Sequence, residues 1–359
     1  MNYSKGFWLV ILLCSTVFFS CVKDKPNPGD KGQITTERKI VIANEGVFGN
    51  GNASLSYIDV SKHSIVNNVY SNQNNGSLLG DVFQSMTVVG DKLYLIINNS
   101  NKIVVVDKNT FTKQTEISIP QPRYMQVAGN NRAYVTNMYG NKIYIVDLAA
   151  NTVSGAISTT NKNNEGIIAL NNKIYVCPWD TACNFIYEID PASNSITNRI
   201  PIGGYAPTQV LTDKNNMLWV VAGNPLYHKP ATITQINPAN NSILKTISFG
   251  ADAELIKPAF NPTKDTLYFI GVDYQGRVNS YNGIYRMPIT ATQAPTQAFI
   301  AAQNLQYFWG LGIDPLSGKI YIGDPKGFTQ KGSVLVYNPD GSLVDQYLAE
   351  LGPGYFYFE

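Results

Sequence analysis

His63 and His228 are the only histidines among 359 residues, so general acid–base chemistry has few places to start. No Ser–His–Asp arrangement forms around either of them. A Cys-x-x-Cys-His haem site, a zinc spacing and a glycine-rich phosphate loop are all missing from the sequence. These residues predict no catalytic set, no metal site, no cofactor and no enzyme. The chain is rich instead in groups that bind, with 22 tyrosines, 15 phenylalanines and 4 tryptophans. Aromatic rings with polar edges suit large flat ligands. Charged residues make up 14% of the chain and the net charge is +2, which leaves no basic stripe for nucleic acid.

The four cysteines divide by position. Cys14 lies in an apolar run from Gly6 to Phe19 that follows Lys5, with the proportions of a secretory signal. The run is short for a membrane span, although a simple N-terminal membrane anchor is the alternative reading. Residues 1–20 are therefore expected to leave as a signal peptide. Residues 21–38 ("CVKDKPNPGDKGQITTER") have little to pack and predict a flexible tether, reaching roughly 20–25 Å if random. Cys177 and Cys183 flank "PWDTA" across a hairpin loop, and no further ligands stand near to make a zinc site. In an oxidising compartment that pair predicts a disulfide.

What must position the aromatic residues is a repeated unit. Second strands begin at "KIVIANEG", "KLYLIINN", "RAYVTNMY", "KIYVCPWD", "MLWVVAGN", "TLYFIGVD" and "KIYIGDPK". Tyr94, Tyr134, Tyr175, Trp219, Tyr268 and Tyr321 hold equivalent places, 40 to 53 residues apart. That period, with about four short strands per unit, predicts an all-β fold, a seven-bladed β-propeller over residues 39–359. The first unit lacks an inner strand and the last has one to spare. The C-terminal strand, Tyr355–Phe358, is therefore expected to complete blade one and remove two open edges.

In such a ring the tight, Asn- and Gly-rich turns share one face, and His63 falls among them. Longer loops between the second and third strands occupy the other face, with the starts of the inner strands. That face is predicted to carry Arg123, Tyr124, Tyr139, Trp179, Tyr205, Tyr227, His228, Tyr274, Tyr307, Trp309 and Phe328 as ligand-binding residues.

Several stretches carry family resemblances. "FFSC" resembles the lipobox of bacterial lipoproteins, which implies lipidation of Cys21, whose acyl chains each add about 0.8 kcal/mol per buried methylene. Val22-Lys23-Asp24 resembles a short signal that sends some Gram-negative lipoproteins to the cell exterior. Tyr134-Val135-Thr136-Asn137 spells the motif of the YVTN seven-bladed propellers. "NEGVFGNGNASLSYID", "LGDVFQSMTVVGDKLYLIINNSNKIVVVD" and "PTQVLTDKNNMLWVVAGN" are similar to surface lipoprotein propellers of gut Gram-negative anaerobes. The resemblance implies an outer-membrane, lipid-anchored protein that binds a corrinoid (vitamin B12) and passes it to a TonB-dependent transporter. A glycan- or protein-binding surface propeller is the alternative, serving adhesion or glycan uptake. A third is a propeller lyase, in which His228 would imitate the histidine base without a second histidine to support it.

Overall fold

The computed structural model describes residues 38–129, 131–250, 252–273, 282–303 and 306–359. The expected signal peptide, the expected lipidation site Cys21, nearly all of the expected tether and Tyr274 lie outside the described residues. No helix of the described residues is long and apolar enough to cross a membrane.

Seven antiparallel four-stranded sheets follow one another along the chain. Blade two shows the pattern, with strands Phe83–Val89, Lys92–Ile97, Lys102–Asp107 and Lys113–Ser118 from inside to outside. Its second strand, "KLYLII", is buried along almost its whole length because sheets press on both of its faces. Its outer strand, "KQTEIS", hides only Ile117. The same gradient recurs in blade three, from "RAYVTN" (Arg132–Asn137) to "TVSGAIS" (Thr152–Ser158). β-Branched and aromatic residues therefore fill the middle of each sheet, where such side chains pack best.

The repeated aromatic position is core. Tyr94, Tyr134, Tyr175, Trp219, Tyr268 and Tyr321 are all buried. Two of them also reach the next blade through their hydroxyls. Tyr94 Oη donates to Asn151 Oδ1 at 2.7 Å, and Tyr134 Oη donates to Asn194 Oδ1 at 2.6 Å. Asn151 and Asn194 have φ of 52° and 51°, a left-handed turn conformation that asparagine tolerates. Each asparagine thus makes its own turn and receives the hydroxyl of the blade before it.

The ring closes as the repeat count predicted. Pro353–Phe358 pairs antiparallel with Lys39–Asn44, with Ile40 opposite Phe358 and Ile42 opposite Phe356. This last strand also packs against the inner strands of blade seven (Gly310–Ile313) and blade two. Arg38 fastens the seam. Its guanidinium donates to both carboxylate oxygens of Asp314, and its Nε donates to the Glu359 carbonyl at 2.8 Å. Burial works against the Asp314 charge, yet hydrogen bonds from Arg38, Ser317 and the Leu316 N–H outweigh it and hold the carboxyl at about 2.

One expectation fails. The predicted Cys177–Cys183 disulfide is absent, and both residues are buried free thiols. Cys177 belongs to a strand whose side chain packs with Ile186, Val210 and Val220 between blades four and five. Cys183 Sγ donates instead to the Phe185 carbonyl at 3.2 Å. Burial pushes the Cys177 thiol far up and the Cys183 thiol to about 11.

Candidate functional site

The inner strands do not run straight into the channel. In blade two Phe83 lies opposite Ile97 and Ser85 opposite Ile96, so Gln84 is an extra residue. Blade three skips from Pro122 to Met125, which leaves Arg123 and Tyr124 facing one residue of the partner strand. Blade four skips from Asn164 to Ile167, blade five from Pro207 to Gln209, and blade six from Ile256 to Ala259. Each gap is a β-bulge near the start of an inner strand, and bulges re-aim side chains at barrel rims. The bulged residues are Gln84, Arg123–Tyr124, Glu165–Gly166, Thr208 and Lys257–Pro258. Of these, Gln84, Arg123, Tyr124, Glu165, Thr208 and Lys257 line one cavity.

Blade one completes the set in a different way. Its bulge falls between Pro353 and Tyr355, at Gly354. A Cβ on Gly354 would stand 2.4 Å from Glu45 Oε1, so the missing side chain makes room for a carboxylate from the end of the neighbouring strand. The inner strand of blade seven pairs with its neighbour without a bulge, and the blade contributes Trp309, just ahead of that strand.

The cavity measures about 340 Å³ and opens on the face of the long loops. Phe48, Tyr139, Trp179 and Trp309 give it aromatic walls, and Met138 adds a soft apolar contact. Beneath them is a polar floor. Arg123 Nε donates to Glu165 Oε2 at 2.9 Å, and its terminal nitrogen donates to Gln84 Oε1. Gln84 Nε2 donates onward to Tyr124 Oη at 3.2 Å. Glu165 Oε1 lies 2.8 Å from Arg123 Nε but accepts no hydrogen bond, because the single N–H points at the other oxygen. Burial raises the Glu165 carboxyl, and the charge of Arg123 only partly offsets that. Lys257 Nζ pairs with Glu45 Oε1 at 3.4 Å and stands 6.0 Å from the centre of the Trp309 ring.

Below this floor the channel widens into a second cavity of about 750 Å³ on the tight-turn side. Tyr124 and Gln209 line both cavities, so they belong to the partition between them. Tyr355 faces the lower chamber, where burial first and then Tyr124 push its phenol up to about 12.

Five of the residues predicted for this face meet in the upper cavity: Arg123, Tyr124, Tyr139, Trp179 and Trp309. Phe328 supports from behind, edge-on to Trp309 with ring centres 5.5 Å apart. The others are elsewhere. Tyr205 lines a separate groove under Lys229, whose Nζ lies 4.4 Å from its ring centre. Tyr227 ends the short 3₁₀ turn Pro225–Tyr227 and is 64% exposed, with His228 next to it outside the cavity lining. Tyr307 packs against the core of blades six and seven. His63 lies on the turn face, 3.3 Å from Asp345.

The sequence reading missed Glu45, Gln84, Glu165, Glu254 and Lys257, all of which line the cavity. All five stand at or within three residues of an inner-strand bulge or the residue it faces. The signal available was a polar residue at the start of inner strands, as in "FQSM", "RYMQ" and "NEGI".

Solved structures share the architecture. A quinonprotein alcohol dehydrogenase-like protein from Bacteroides thetaiotaomicron has a TM-score of 0.66 and 14% identity, covering 90% of this chain and 78% of that one. A protein from Lactobacillus plantarum has a TM-score of 0.65 and 11% identity, covering 90% and 99%. The extracellular domain of a putative one component system of B. thetaiotaomicron has a TM-score of 0.60 and 15% identity, covering 85% and 44%. At these identities the likeness is one of fold. No curated protein matches the chain. The sequence profile described as "Domain of unknown function (DUF5074)" matches residues 39–358, the whole propeller but for its last residue, and the chain belongs to that family.

Proposed function

We propose that this propeller captures a small-molecule ligand at the long-loop face and performs no chemistry on it. The observation that carries the reading is the aromatic-walled cavity over a floor of bulged polar residues. Tyr139, Trp179 and Trp309 supply flat apolar contact, and Gln84, Arg123, Glu165 and Lys257 supply fixed polar groups. Such a combination is typical of pre-formed ligand sites. Neither His63 nor His228 lines the cavity.

The ligand proposed is a corrinoid. The support is the resemblance to cobalamin-capturing surface lipoproteins, and the site is compatible with it. A corrin is too large to enter about 340 Å³, so it would lie across the mouth with edge amides turned toward the floor. Lipidation at Cys21 would hold the protein at the outer membrane, and a TonB-dependent transporter would receive the ligand. The test is equilibrium dialysis of the purified protein against cyanocobalamin and, in parallel, a glycan panel. Retention of cyanocobalamin supports the reading, whereas retention of glycans alone replaces it with adhesion or glycan uptake. Replacing Cys21 with Ala should release the protein from the membrane fraction. A variant as membrane-bound as its parent would remove the lipid anchor from the account.

A further inference from the structure

We propose that the upper cavity selects ligands that present a nitrogen donor, an ammonium or an amide N–H, on a flat apolar body, and disfavours anions. This rests on reading the cavity as a binding site, but not on which ligand it takes.

Five charged side chains line the cavity: Glu45, Glu165 and Glu254 against Arg123 and Lys257. Both cations are already engaged, Arg123 by Glu165 and Gln84, and Lys257 by Glu45 at 3.4 Å. The acceptors are matched less completely. Glu165 is 3% exposed and its Oε1 accepts no hydrogen bond. Glu254, half-buried at the start of the inner strand Glu254–Phe260, has burial as the sole influence on its carboxyl, with no cation or donor acting on it among the described residues. A buried acceptor left unmatched is costly, so a ligand that donates to Glu165 Oε1 relieves a penalty the empty site carries, and half-buried Glu254 offers a second carboxylate in the same cavity. An incoming carboxylate or phosphate would instead have to separate Arg123 from Glu165 or Lys257 from Glu45. Breaking a buried pair leaves an uncompensated charge.

The walls favour the same ligand. Phe48, Tyr139, Trp179 and Trp309 ring the cavity, and aromatic faces attract cations as well as flat apolar bodies. The Glu254 carboxyl points the same way. Burial raises it to about 6, the response of an acid held away from water without a partner.

Three indoles that share a ring and differ in one group make the test: tryptamine (ammonium), indole-3-acetamide (amide) and indole-3-acetate (carboxylate). Each is titrated into the full-length protein at pH 7.5 by ligand-observed NMR. The expected result is that tryptamine, the amide or both bind at least tenfold more tightly than the acetate. Tryptamine and the amide are then separated by Glu254→Gln, which should weaken tryptamine about tenfold and leave the amide nearly unchanged. Acetate binding as tightly as the others overturns the proposal. So does an absence of binding by all three, or a Glu254→Gln protein that keeps any tryptamine preference intact. Because no corrinoid is used, a failed cyanocobalamin titration would remove the corrinoid reading and leave this one standing.

Discussion

Glu254 is a charge that the folded state holds at a loss. Its carboxyl stands at about 6 against an ordinary 4.5, and burial is the cause. A raised acid in the folded state means that folding binds protons, so the penalty is absent below about pH 4.5. It grows between 4.5 and 6 and is complete above 6. Glu254→Gln should therefore raise the melting temperature at pH 7.5 and leave it unchanged at pH 4, as thermal scans across that range would show. Arg123 predicts the opposite sign. Its removal strands Glu165 in a buried site, and breaking such a pair typically costs about 3–5 kcal/mol. Chemical denaturation should find Arg123→Met strongly destabilised and the Arg123→Met, Glu165→Gln pair partly rescued. At this scale the sequence was only half legible. Arg123 and Tyr124 were found because they begin an inner strand. Glu165 and Lys257 were not, because strict alternation assigns no special direction to the residue a bulge adds.

The second strands and turns could be read directly, since apolar runs, Asn and Gly at the turns and the spaced tyrosines each have a local cause. Tyr134→Phe keeps the packing and removes one hydrogen bond, to Asn194 at 2.6 Å. It should cost about 1 kcal/mol in chemical denaturation, with ligand binding unchanged. Gly354 is a sharper test of the bulge. Any Cβ there collides with Glu45 Oε1, so Gly354→Ala should push Glu45 from Lys257 and weaken binding at the cavity. An alanine variant that binds as its parent does would mean that Glu45 is not part of the site. The cysteines show where reading by element fails. Their spacing suits a bridged hairpin, but the Cys177 side chain is committed to the interblade core and Cys183 to the Phe185 carbonyl at the start of the next strand. Thiol titration of the denatured, unreduced protein should find both, and the native protein should react slowly with thiol reagents because both are buried.

Closure is a property of the whole ring. Removing residues 353–359 would open the edges of Lys39–Asn44 and of Gly310–Ile313's neighbour surface, and delete the carbonyl that Arg38 Nε reaches. The truncated protein is expected to aggregate, as light scattering would record. The same seam sets acid stability. Asp314, held at about 2 against an ordinary 3.8, contributes stability that is complete above about pH 3.8 and is lost as pH falls through 2. The seven-fold repeat made this closure countable from the sequence, because one inner strand was missing at the start and one was left over at the end. The cavity was not countable in the same way, since its floor comes from six blades and depends on where each register slips. The central claim is that this floor and its aromatic walls bind a corrinoid, and calorimetric titration with cyanocobalamin tests it most directly. The account predicts saturable one-to-one binding that Trp179→Ala weakens ten- to hundredfold, about 1–3 kcal/mol, and that His63→Ala on the turn face leaves alone. No heat of binding, or binding that survives Trp179→Ala and falls with His63→Ala, would contradict it.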